Sequence, residues 1–163
     1  MTASPPEPTP IRGQAVLRDY PLRLWAAQQE HMQALLREFQ LLLVGDQQST
    51  DHTAPRRLLE LADMFTARFG PLIEQIHAER QSAYDRGQDR MDSHVPMPEG
   101  TPELLQQVNA VLAAVDEYCA RGDLLVLPRS PELRALSEWT TREITAQYDG
   151  AAPTPWPGTV LTR

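Results

Sequence analysis

Four side chains of metal-ligand type stand at helical spacing in this sequence. Glu74-x-x-His77 sets a carboxylate and an imidazole on neighbouring turns of one helix, and His31 and Glu38 stand two turns apart on another. If the two helices meet, His31, Glu38, Glu74 and His77 form a metal site or an acid–base cluster. Di-metal bundles use the Glu-x-x-His unit twice, with two further glutamates. Here it occurs once. On a helical wheel Glu74 points away from the apolar stripe and His77 lies at its flank, so a solvated pair is the simpler reading. His52 and His94 each have an aspartate close by and read as solvated loop residues. Cys119 falls on an apolar stripe as a small hydrophobe with no activating neighbour. No catalytic residue and no cofactor is therefore assigned. The four ligand-type residues stand as a metal-binding or enzymatic alternative.

Other chemistries are excluded by residue type. The 15 cationic residues are all arginine. Without lysine there is no Schiff-base amine and no P-loop phosphate ligand. There is also no Gly-x-Ser-x-Gly elbow and no Cys-x-x-Cys. A net charge of −7, with Arg56-Arg57 the only adjacent basic pair, argues against a nucleic-acid partner. One cysteine excludes an intramolecular disulfide and suits a reducing compartment. The first residues lack a basic region followed by an apolar one, so no signal peptide is expected. The longest aliphatic run, Leu41 to Val44, is too short to span a membrane. A cytoplasmic protein is the expectation.

The elements that would position these groups announce themselves by punctuation. Pro21 to Val44, Pro55 to Arg86, Pro102 to Arg121 and Pro131 to Asp149 each begin near a proline and end just before a glycine. Proline suits the first helical turn, where its missing N–H has no partner to lose. Glycine enters the left-handed region past a helix end without steric cost. Thr101-Pro-Glu-Leu and Ser130-Pro-Glu-Leu add a hydroxyl N-cap and a carboxylate at the positive helix end.

Apolar stripes agree with this. They run through Trp25, Met32, Leu35, Leu36, Phe39, Leu42 and Leu43, and through Leu58, Ala62, Phe65, Phe69, Leu72, Ile76 and Ala83. The third segment has Leu104, Val108, Val111, Leu112, Val115, Tyr118 and Cys119, and the fourth has Leu133, Leu136, Thr140, Ile144 and Tyr148. Gly70-Pro71 interrupts the second stripe without changing its phase, which predicts one kinked helix. The expected fold is all-α: a bundle of four main helices over residues 14–150, between a disordered Pro-rich arm at 1–13 and a tail at 151–163. Two short apolar segments, Ala15–Leu17 and Leu124–Leu127, either make a minor two-stranded pairing or cover the bundle end. Gln88 to Gly100 reads as a long loop, a kind that is often functional. Pro5-x-x-Pro8 in the arm fits the pattern of a polyproline ligand.

The tail, Pro153-Thr-Pro-Trp-Pro-Gly158, holds Trp156 in a stiff extended segment. Two readings stand: Trp156 plugs its own fold, or it docks on another chain. Trp139 lies off its helix's stripe and either receives the tail or belongs to a contact surface. Trp139 and Trp156 are the candidate partner-binding residues.

Tyr20-Pro-Leu-Arg-Leu24, Glu30-His31, Arg37-Glu-Phe39, Glu117 to Leu127 and Pro153 to Gly158 together resemble a group of small helical bacterial proteins. These are encoded beside partner-switching cassettes of an anti-sigma serine kinase, a STAS-domain antagonist and a PP2C-type phosphatase. The resemblance covers most of residues 14–158 and carries no catalytic motif. It implies a regulatory or binding role. Together these features lead to a non-enzymatic cytoplasmic protein-binding protein of bacterial signalling, with an unidentified protein partner, no nucleic-acid or membrane partner, and a homodimer as an open state.

Overall fold

The structure, a computed structural model, describes residues 11–45 and 53–159. In chain order it contains β1 (Ile11–Pro21), α1 (Leu22–Gly45), α2 (Thr53–Asp85), β2 (Arg90–Pro98), α3 (Thr101–Ala120) and α4 (Pro131–Tyr148). Each Pro-to-Gly segment lies within a helix to within two residues at either end. Gly122 and Gly150, just past α3 and α4, have φ of 80° and 98°, the left-handed geometry that closes a helix. The Ser130 hydroxyl caps α4 by accepting the Leu133 N–H at 3.3 Å. At α3 the expected hydroxyl cap is absent. Gly100 is the N-cap at φ 82°, and the Thr101 hydroxyl instead donates to the Pro98 carbonyl at 2.6 Å. α2 runs 33 residues with Pro71 inside it.

The expected all-α four-helix bundle is overturned. A two-stranded antiparallel sheet, of 11 and 9 residues, stands among the helices as a principal element. Nor is it the minor pairing suggested by the sequence. Ala15–Leu17 pairs with Val95, His94 and Ser93, while Leu124–Leu127 forms no strand. The expected long loop is therefore largely β2, and His94 sits in it. Ile11–Gly13, assigned to the arm, open β1. Pro96 and Pro98 fit in β2 because a two-stranded sheet has only edges, so a missing N–H can face away from the partner.

The outer edge of β1 is covered by the rest of the chain. The Gln147 side-chain amide of α4 acts as a short strand, accepting the Val16 N–H at 2.8 Å and donating to the Val16 carbonyl at 2.9 Å. Between Leu17 and Tyr20 the register shifts, and Asp19 takes φ 53°. Aspartate tolerates the left-handed region better than most residues. In this bulge the Arg18 carbonyl accepts the Trp156 N–H at 2.9 Å, and Arg18 bridges Pro155.

Two apolar clusters form the core. The first joins β1, β2, the start of α1, the end of α2 and α4 through Leu17, Tyr20, Trp25, Ala83, Met97, Leu136 and Trp139. The second joins the rest of α1, the start of α2 and α3 through Leu35, Phe39, Leu58, Leu112, Val115 and Leu124. α1 passes from one cluster to the other at Gln28 and His31. The side chains of Leu43 and Phe65, together with residues 1–10, His52 and the end of the tail, lie outside the described residues.

Candidate functional site

The structure does not bring the four ligand-type residues together. His31 stands near Asp116 and Arg129, and its Nε2 is buried without a hydrogen-bond partner among the described residues. Burial lowers its pKa and Arg129 adds to this, against the pull of Asp116. His77 meets Trp25 edge-on, centroids 5.9 Å apart, and is also lowered by burial and by Arg80. Glu74 is exposed. Among the described residues no group of three or more His, Cys, Asp or Glu side chains is placed to hold a metal ion. Cys119 is buried, and its thiol is pushed up to about 11 by burial, Asp116 and Glu38. It stays protonated at neutral pH and is a poor nucleophile.

Glu38 serves the loop that follows α3. Its carboxylate accepts the backbone N–H of Leu125 and, at 2.9 Å, that of Val126. The loop is fastened a second time at Arg129. The Asp116 carboxylate accepts its backbone N–H at 2.9 Å and its guanidinium Nε and Nη2 at 3.0 and 2.8 Å. This pair is buried, and Arg129 continues to the Ser137 hydroxyl at 3.1 Å, which also accepts from Gln28 at 2.9 Å. A planar guanidinium held in this way by one carboxylate fixes direction as well as distance. Between the two anchors the side chains alternate. Leu124 is buried and Val126 packs on the second cluster, whereas Leu125 is 94% exposed and Leu127 77%. Leu41, one helical turn beyond Glu38, is 73% exposed. Leu125 and Leu127 thus stand exposed on a loop fastened at Glu38 and at Asp116.

The tail packs on its own chain. The Trp156 ring meets Trp139 at 78° with centroids 5.2 Å apart, and Trp139 in turn lies 6.3 Å from Tyr20. Trp139 is buried rather than spare, since the tail and β1 cover the side of α4 away from the helical stripe. A Cβ at Gly158 would lie 2.3 Å from the Trp156 ring, so only glycine lets the chain pass so close beneath its own indole. The Glu143 carboxylate takes the Thr154 N–H and hydroxyl, both at 2.7 Å, and the Gln147 amide at 2.9 Å. Burial pushes its pKa upward. The bonds from Thr154 and Gln147, with Arg142 nearby, outweigh that and hold it below the usual carboxylate range.

Leu125, Leu127 and the Asp116–Arg129 pair are not among the residues singled out by the sequence. A signal for the pair exists: Asp116 interrupts the α3 stripe between Val115 and Cys119, and a carboxylate there needs a partner. No helix among the described residues is long and apolar enough to cross a membrane. No family model, curated protein or solved structure matches the chain.

Proposed function

We propose that the chain is a non-enzymatic protein-binding module that docks a partner protein through Leu125, Leu127 and Leu41. The observation that carries this reading is the pair of exposed leucines on a loop fastened at Glu38 and Asp116. Single exposed leucines are ordinary on a protein surface. Leu125 and Leu127 expose their side chains two positions apart on a loop fastened at both ends, and Leu41 adds a third exposed leucine one helical turn from the Glu38 anchor. Because the loop is already ordered, little conformational freedom is lost when a partner covers it. The surface suits an apolar groove or helix face of another protein. The resemblance to proteins encoded beside partner-switching cassettes supports a cytoplasmic bacterial signalling protein as that partner.

The test is the double variant Leu125→Asp/Leu127→Asp. Both positions are exposed, so the thermal midpoint should stay near that of the wild type. Immobilised wild type should retain a defined native protein that the variant does not. A concentration-dependent rise in sedimentation mass, abolished in the variant, would make the partner a second copy. Equal retention by both proteins, without self-association, contradicts the reading.

A further inference from the structure

The apolar stripe of α2 skips one place, between Ile76 and Ala83, and Arg80 occupies it. Arg80 is only 8% exposed. Its Nε donates to the Ser93 hydroxyl at 3.0 Å, its Nη1 to the Tyr20 hydroxyl at 3.4 Å, and the guanidinium carbon lies 4.1 Å from the Tyr20 ring centroid. Among the described residues no carboxylate stands within ion-pair distance of it. A guanidinium carries five N–H donors, and a buried charge is ordinarily held by an opposite one. Two neutral hydroxyls and a ring face meet that need only in part.

Arg80 borders a cleft of about 190 Å³ among α2, β2, α3 and α4, with Leu72, Ile76, Val95, Leu104, Leu105 and Ile144 on its walls. Among the described residues no acidic one lines it. His77, the other basic lining group, is held toward its neutral form by burial and by Arg80. Among the described residues Arg80 is thus the one cationic group bordering this apolar chamber, and its Nη2 has no described partner. That charge matches a monoanion, and the planar guanidinium fork matches a carboxylate. A cavity of about 150 Å³ holds a benzene molecule, so the chamber takes a six-carbon chain or a single ring.

We propose that this cleft binds a small monocarboxylate with an apolar body, a short-chain acyl or aryl acid whose carboxylate bonds to Arg80 and whose body lies among Leu72, Ile76, Leu104 and Leu105. The site shares no residue with the leucine surface, so either can stand without the other.

The test titrates the full chain with hexanoate, hexanol and hexyl phosphate, following the Arg80 Nε–H signal by NMR and affinity by calorimetry. Hexanoate should bind at least about tenfold more tightly than hexanol and should shift the Arg80 signal. Arg80→Gln should bring hexanoate down to the affinity of hexanol and leave hexanol binding in place, which also reports a folded cleft. Ile76→Trp, which fills the chamber, should remove both. Equal affinity for hexanoate and hexanol in the wild type would overturn the proposal. So would an unmoved Arg80 signal at saturation, tighter binding of hexyl phosphate than of hexanoate, or no binding of hexanoate at millimolar concentration.

Discussion

Oε2 of Glu38 accepts the backbone N–H of Val126 at 2.9 Å, with Leu125 N–H on its other oxygen, so a residue of α1 determines the path of a loop 88 positions further along the chain. A glutamine there offers one accepting oxygen and sets an N–H₂ group against the second donor. Glu38→Gln should cost about 1–2 kcal/mol on chemical denaturation. Amide exchange at Leu125 and Val126 should quicken more than elsewhere in the chain. Unchanged exchange at those two amides would show that Glu38 does not hold the loop.

Removing residues 151–163 takes away the Trp156–Trp139 contact and the Thr154 bonds to Glu143. Stability should fall by about 1–3 kcal/mol, and the fluorescence of Trp139 should shift as its ring becomes exposed. The same contact has a pH signature. Glu143 has a depressed pKa, so its contribution is fully present above the unfolded value of about 4.3 and is lost as pH falls through the folded value. In Glu143→Gln this acid-limb loss should shrink in thermal melts below pH 4.5.

His31 and His77 both have pKa values below the ordinary 6.5. Between that value and the folded ones, the unfolded chain binds protons that the folded chain resists. Stability therefore declines as pH falls from about 7 toward 5.5. Thermal midpoints across that range should drop in the wild type and hold more nearly level in His31→Gln/His77→Gln. A wild-type midpoint that rises on acidification would reverse the assignment.

Cys119, with its thiol pushed up to about 11 and its side chain buried, should resist a thiol-reactive disulfide reagent at pH 7. One thiol per chain should react at once when the protein is unfolded in denaturant. Prompt labelling of the native protein would place Cys119 at an accessible surface.

The helices were legible because proline, glycine and apolar spacing act locally. Thus Ser130 caps α4, and Leu35, Phe39, Leu112, Val115 and Leu136 are buried. The sheet was not, because β2 holds Pro96 and Pro98 and its partner lies about eighty residues earlier. Nothing local pairs Ala15 with Val95. Polar residues inside the stripes carried more information than their apolar neighbours. Arg80 sits where the α2 stripe skips and Asp116 where the α3 stripe breaks, and each is buried. Neither position announces its role locally, because their partners, Ser93 and Tyr20 for one and Arg129 for the other, come from different elements. The exposure of Leu125 and Leu127 was equally hidden, since an aliphatic run reads as core until its alternation about Glu38 is seen.

Docking through Leu125 and Leu127 places a bound partner against the loop after α3. A photoreactive phenylalanine analogue placed at Leu125, and separately at exposed Arg134 on α4, measures this directly in a native cell extract. From position 125 one discrete adduct is expected, which disappears when Leu127→Asp is added, with no such adduct from position 134. The same adducts from both positions, or an adduct from 125 that survives Leu127→Asp undiminished, would contradict it.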